Sequence, residues 1–223
     1  MPASTVHRVL VRHGRNRLAW MDRTTGRVIR RIETHHPGEL VHVDIKKLGR
    51  IPPGGGWRVN GLQGRIRNGS GGRPRLGYAF VHSAIDAHTR LAYSEIQPDE
   101  QGLTAAQFWQ RAQAFFAAHG IVTERVLTDN GSCYRSRHFA AALAENTIIH
   151  TFTQPYRPAT NGKVERFNRT LLDEWAYARP WRSDAARARG LDRWLHRYNH
   201  HRHHTAIGGP PITRVNNLPG QNT

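Results

Sequence analysis

Three carboxylates stand where a carboxylate has a chemical use. Asp129 ends the run Val126-Leu127-Thr128 and precedes Asn130-Gly131, which predicts the end of a short buried strand followed by a sharp turn that exposes the acid. Glu165 falls one turn into an amphipathic helix opening at Asn161-Gly162. Asp44 interrupts Val41-His42-Val43-Asp44-Ile45, where Val41, Val43 and Ile45 alternate onto one strand face and leave Asp44 on the other. Asp is a poor strand former, and a solvent-facing position would suit it equally well were no other carboxylates at hand. A carboxylate at a strand end and another on a nearby helix can converge on one point, and converging carboxylates hold hard divalent cations. Two such ions, about 3.5 to 4 Å apart, clamp the attacking and leaving oxygens of an in-line phosphoryl displacement.

The elements that must position these acids are legible in the same way. Residues 39–48 read as a strand; Tyr78–Asp86 and Arg90–Ile96 read as a hairpin about Asp86-Ala87-His88-Thr89, with Asp86 a turn residue or an Arg90 partner rather than a catalytic acid. Phe108, Ala112, Phe115 and Phe116 predict a helix over 104–119 stopped by Gly120. The Asp129 strand, a helix over 136–146 and a strand over 147–153 follow. The Glu165 helix turns Val164, Phe167, Leu171 and Trp175 to the core, and a last helix is expected near 184–202. The order implies an α/β fold with a mixed sheet, antiparallel at its start and parallel later.

At the front, Met1 to Arg17 reads as a basic helix with Ser4-Thr5 as its N-cap, Val6, Val9, Leu10 and His13 on one face and Gly14 as its stop. An arginine-rich linker runs to residue 36. Residues 49–77 hold ten glycines, six arginines and no acid, which predicts a flexible basic insertion, a long hairpin or a partly disordered loop.

Among 223 residues, 33 are Lys or Arg and 16 Asp or Glu, a formal net charge of +17. The excess is uneven. Residues 1–36 carry eight Arg and two acids and residues 157–214 twelve basic residues and five acids, whereas 101–156 stand at four and three. Basic ends around a neutral middle call for a polyanion such as nucleic acid. No apolar run approaches the ~20 residues a membrane span needs. The single Cys133 excludes an internal disulfide and a Cys-based zinc site and suits a reducing cytoplasm, nucleoid-associated in a bacterium.

Val43-Asp44, Thr128-Asp129-Asn130-Gly131 and the run from Tyr156 through Arg157, Asn161, Lys163, Glu165 and Arg166 to Asn168 resemble the catalytic core of insertion-sequence transposases and retroviral-type integrases. These are Asp-Asp-Glu recombinases with a ribonuclease H-like fold, a mixed five-stranded sheet flanked by helices. Thirty-five residues separate Asp129 from Glu165, the family's spacing. The likeness covers about residues 37–215, including Arg197-Tyr198-Asn199 and Gly209-Pro210-Pro211; Ser4 to Gly14 resembles the end of the family's helix-turn-helix. Ala159 replaces the usual Gln and His203 the usual Pro.

The resemblance implies a division into 1–36 (helix-turn-helix remnant and linker), 37–180 (core, with insertion 49–77) and 181–223 (basic helix and tail). A front that begins inside the DNA-binding module could lose recognition of element ends. The resemblance also implies Asp44 and Asp129 sharing one Mg2+, Asp44 and Glu165 the other, with Mn2+ able to substitute. Its partners would be double-stranded DNA, as transposon ends and target, and further copies of the chain. Lys163, Arg166, Arg169, Arg157, Tyr156 and Asn161 surround Glu165 as candidate DNA contacts. Arg169 shares Glu165's helix face and could pair with it instead, and Tyr156 could equally pack in the core. The run His200, His201, His203, His204 reads as basic surface rather than metal site. Two other activities fit the same residues: a ribonuclease H-like nuclease that cuts without joining, and a truncated, non-catalytic DNA-binding remnant.

Overall fold

The computed structural model describes residues 2–16, 33–66, 76–153 and 162–215. The described residues before 17 belong to one unit and those from 34 onward to a second. In the first, α1 (Ala3–Arg12) starts from Pro2, whose carbonyl takes the amides of Thr5 and Val6. Ser4 and Thr5 therefore lie inside the helix and cap nothing: the extended backbone at Pro2 starts the helix one turn earlier than the side chains alone suggest. Gly14, at φ +64°, follows its end, as expected.

The second unit is built on β1 (Val41–Gly49). Strand β2 (Tyr78–Asp86) pairs antiparallel with β1, and β3 (Ala92–Gln97) antiparallel with β2. Strand β4 (Arg125–Thr128) pairs parallel with β1, and β5 (Ile149–Phe152) parallel with β4. The sheet order is β3-β2-β1-β4-β5, the mixed arrangement the element order predicts. On one face, α3 (Gly102–Ala118) and α4 (Arg137–Ala144) bury Phe108, Trp109, Phe116 and Phe139 against Val41, Val43 and Val126. Ser136 caps α4 by accepting the Phe139 amide.

On the other face lie α5 (Gly162–Leu171), a π-helical turn over Leu172–Ala176 and α7 (Leu191–His200). Val164, Phe167, Leu171 and Trp175 pack there on Leu48, Val81 and Ile85. The Asn199 side chain accepts the Ala92 amide at 3.0 Å and donates to the Ala92 carbonyl at 2.8 Å, tying α7 to the edge strand β3. Both polar atoms of the Asn199 side chain are thus matched by backbone partners, so their desolvation is compensated.

Two expectations change. The described part of the insertion after β1 contains a helix, α2 (Trp57–Ile66), kinked at Gly61, while residues 67–75 of the expected loop lie outside the described residues. The Asn60 side chain donates to the carbonyls of Gly54 and Gly55 and steadies the glycine-rich turn before it. Glycine there supplies close approach rather than disorder: a Cβ on Gly64 would stand 2.7 Å from the Gly56 backbone. The expected last helix is two, α6 (Asp184–Ala188) and α7, broken at Gly190. A Cβ on Gly190 would meet the Trp181 ring at 2.9 Å, and Trp175 Nε1 donates to the Arg187 carbonyl at 3.0 Å in the same place. The chain closes with α8 (Pro211–Val215).

Candidate active site

Register brings the first two acids together. In the parallel β1–β4 pair, Val41 is level with Val126 and His42 with Leu127. Two residues further along each strand lie Asp44 and, just past the end of β4, Asp129. Neighbouring strands run about 4.8 Å apart, so these carboxylates occupy adjacent tracks at one height. Asp129 is exposed and held by its own turn: its Oδ1 accepts the Gly131 amide at 2.8 Å, and Asn130 Nδ2 donates to the Thr153 carbonyl beyond β5 at 2.9 Å. A Cβ on Gly131 would fall 2.9 Å from Asp129 Oδ1, so glycine lets the turn close on the acid, as the sequence suggests.

The third acid arrives on α5. Val164, Phe167, Asn168 and Leu171 form its buried stripe, which leaves Glu165 exposed in the first turn, where the helix dipole favours an acid. Asn168, one turn beyond Glu165, donates from Nδ2 to Asp44 Oδ2 at 2.6 Å. This bond fastens the helix bearing Glu165 to the strand bearing Asp44. The Asn168 Oδ1 is buried without a partner among the described residues. Sequence reasoning passed over Asn168, although its place in the 164/167/168/171 stripe signals an amide in need of a buried partner.

Electrostatics register the convergence. Burial pushes the half-buried Asp44 carboxyl up to about 6, and the charges of Asp129 and, more weakly, Glu165 push in the same direction. The fully buried Tyr134 hydroxyl, raised well above its ordinary value mainly by burial, also feels Asp44 and Asp129. Cys133 is raised to about 11 by burial and then by Asp129, so its thiol stays protonated and unreactive.

Among the described residues, no three His, Cys, Asp or Glu side chains stand close enough together to hold a metal ion. Asp129 and Glu165 are both exposed. The donor set nevertheless suits Mg2+ in kind, since it consists of carboxylate oxygens, partly exposed, with room for the waters this ion retains.

Of the candidate DNA contacts, Arg166 and Arg169 are exposed and Lys163 half-buried on α5. Arg169 pairs with Asp173 at 3.9 Å rather than with Glu165; both residues are exposed, so the pair is weak and easily exchanged for phosphate. Tyr156, Arg157 and Asn161 lie outside the described residues. Asp86 is a turn residue, and Arg90 is not its ion-pair partner: the guanidinium donates to the Ala87 carbonyl. The histidine run is not uniformly basic surface. His204 packs edge-on against Tyr198, and burial lowers it to about 4, which keeps it neutral.

The geometry has counterparts in known proteins. A sequence model described as integrase core domain matches residues 34–158, and a second of the same description matches residues 146–211. The ORF3 protein of Spiroplasma virus SpV1-C74, named as an integrase, is 25% identical over 153 residues, 62% of this chain and 42% of that protein. An insertion element IS476 protein of Xanthomonas euvesicatoria is 34% identical over 87 residues, 39% of this chain and 25% of that protein. The chain thus spans less than half the length of these curated relatives. The HTLV-2 integrase catalytic core domain, solved in complex with magnesium, superposes with a TM-score of 0.56 at 14% identity, covering 83% of this chain and 99% of that one. A chain of the simian T-cell lymphotropic virus intasome, solved with the PP2A regulatory subunit B56 gamma, gives 0.63 at 19% identity, covering 97% and 73%. At such identities the likeness establishes the fold, which is ribonuclease H-like as expected.

Proposed function

The chain belongs to the integrase core domain family, and from that premise we propose that it is the catalytic core of a polynucleotidyl transferase that cuts DNA at the ends of a mobile element and joins those ends to target DNA. The observation that carries the reading is the Asn168–Asp44 hydrogen bond: it links the Glu165 helix to the strand whose acid lies level with Asp129.

In this reading Asp44, Asp129 and Glu165 are the ligands of Mg2+, with Mn2+ able to substitute. The chemistry that two bound ions supply is activation of an attacking oxygen and neutralisation of charge on the leaving one. Asp44, whose carboxyl feels both of the other acids, would be the ligand common to the two ions, as the family resemblance implies. The Asn168 amide orients its carboxylate, and the Asn130-Gly131 turn orients Asp129. Water is the nucleophile for cleavage and a DNA 3′-hydroxyl for joining, so no side chain becomes covalently attached to DNA. Lys163, Arg166 and Arg169 on α5, with Tyr156, Arg157 and Asn161 shortly before it in sequence, are the candidate phosphate contacts. The net charge of +17 draws duplex DNA to the site, and a homo-oligomer brings two ends together.

The test uses labelled duplexes from the DNA flanking the gene, with Mg2+ or Mn2+, wild type beside Glu165→Gln. Products longer than the substrate that require both metal and Glu165 are expected. Nicked products alone would replace this reading with a nuclease that does not join, and DNA binding without any metal-dependent product would replace it with a non-catalytic binding protein.

A further inference from the structure

The insertion after β1 carries a surface that the acids do not use. Trp57, the first residue of α2, is 59% exposed, and Tyr177, just past the π-helical turn, is 44% exposed. Between them lies Arg58. Its guanidinium carbon stands 5.7 Å from the Trp57 ring centre and 5.1 Å from that of Tyr177, and its Nη1 donates to the Tyr177 carbonyl at 3.1 Å. Arg179 covers the Trp181 ring at 4.1 Å in the segment that follows. Residues 49–77 and 177–182 contain no acid. The carboxylates nearest along the chain are already engaged: Asp173 by Arg169 at 3.9 Å, Glu174 by Arg202 Nε at 2.9 Å, and Asp184 by Arg187 Nη2 at 2.8 Å and the Ile51 amide at 3.1 Å.

Exposed aromatic faces interleaved with unneutralised guanidinium groups are the chemistry of single-stranded nucleic-acid binding: bases stack on the rings and arginines meet phosphates. Two elements lead from the acids to this surface. Strand β1 continues five residues past Asp44 to Gly49, about 16 Å at ~3.3 Å per residue. The helical run from Glu165 to Tyr177 spans a similar distance, about 18 Å at 1.5 Å per residue. A strand of about five nucleotides, at roughly 3.4 Å each, bridges that gap.

We propose that Trp57, Arg58 and Tyr177 form a second subsite, separate from the acids, for an unpaired DNA strand leading away from the scissile phosphate. The inference rests on the DNA-processing reading above and adds to it a place where flanking DNA is held unstacked. Arg58 exchanges its contact with the rings for phosphate, and the rings take bases.

The test compares a blunt duplex with the same duplex carrying a single-stranded thymidine extension, using the full chain without metal so that binding is read apart from cleavage. Wild type is expected to bind the extended duplex more tightly. Trp57→Ala and Tyr177→Ala should each remove about tenfold of that affinity and leave blunt-duplex binding unchanged, while Trp57→Phe retains it. In parallel, 5-iododeoxyuridine placed along the extension should photocrosslink in wild type to Trp57 or Tyr177, most strongly about five nucleotides from the junction. Equal affinity for the two duplexes, or crosslinks that avoid both residues, would overturn the subsite; the crosslink map stands even if an alanine variant misfolds. A mapped crosslink in a protein that makes no metal-dependent product would retain the subsite and reject the transferase reading.

Discussion

Two aspartates on paired strands show how differently this protein treats a carboxylate. Asp86, at the end of β2 opposite Val41, is fully buried, and every donor about it is accounted for: the amides of Gly38, His88 and Thr89 and the Thr89 hydroxyl all bond its two oxygens. Asp44, three residues further along β1, has one side-chain donor, Asn168, and its pKa is raised first by burial and then by the charges of Asp129 and Glu165. The first arrangement satisfies a carboxylate and locks a turn. The second leaves negative charge less fully compensated, which is the arrangement the proposed cation site calls for. Burial alone does not distinguish a structural acid from a chemical one; the supply of hydrogen bonds does.

Substitution should separate the two classes most sharply. Asp129→Asn or Glu165→Gln is expected to lower metal-dependent cleavage by about three orders of magnitude or more, as removal of a charged group acting in the transition state does, with DNA affinity nearly unchanged in a filter-binding assay. Asp86→Ala should do the reverse. It leaves several buried donors unpaired and costs about 3 kcal/mol of stability by denaturant titration, while the folded fraction keeps its specific activity. An inactive but stable Asp86→Ala protein would erase the distinction.

Asp44→Asn sharpens it further, because the acid that serves chemistry is predicted to harm the metal-free fold. Burial in the folded protein, with the charges of Asp129 and Glu165, pushes its carboxyl from the ordinary 3.8 up to about 6. The penalty for ionising it is therefore complete above about pH 6 and vanishes as pH falls towards 4, where both states are protonated. Asp44→Asn should stabilise the metal-free protein at pH 7.5 by up to about 3 kcal/mol and abolish cleavage, and the gain in melting temperature should shrink as the pH is lowered to 4. A gain independent of pH would mean that charge is not its cause.

Asn168→Ala removes the side-chain donor to Asp44 and is expected to cut cleavage about tenfold and move the acidic limb of the pH–rate profile to higher pH, since the ionised form loses a hydrogen bond. An unmoved profile would reduce Asn168 to packing. The smallest effect lies at His204. Its pKa falls from 6.5 to about 4 on folding, so the stability carried by the neutral ring is present above about pH 6.5 and is lost as pH falls towards 4. His204→Phe should flatten that part of the stability curve by about 1 kcal/mol or more, read by thermal melting at pH 7 and pH 5.

The pattern of residues determined a good deal by itself. Apolar alternation at Val41, Val43 and Ile45, the helical stripe through Phe108, Ala112 and Phe116, and the placement of Asp129 at a strand end are short-range signals, written within one or two turns of chain. They were sufficient for the order of elements along the chain and for singling out Asp44 and Asp129 as candidates, because both interrupt or end runs that are otherwise apolar, whereas Glu165 stood out through its motif and its spacing from Asp129. What α2 would be was not legible, since glycine and proline mark a breaker and a close contact alike. The break at Gly190 depends on Trp181 and Trp175 meeting it from elsewhere. Two histidines of one run, His203 and His204, differ in burial: the first is exposed, and the second packs on Tyr198 and bridges to Gly209.

The tertiary structure alone decided which partner each polar group receives. Asn168 finds Asp44 across 124 positions of sequence and Asn199 finds Ala92 across 107. Such contacts leave no periodic trace, because a hydrogen bond depends on where two distant segments are brought and not on the residues between them. The acids belong to the sequence. The field they create together, and the amide that holds one of them in place, come from the packing of α5 on the sheet.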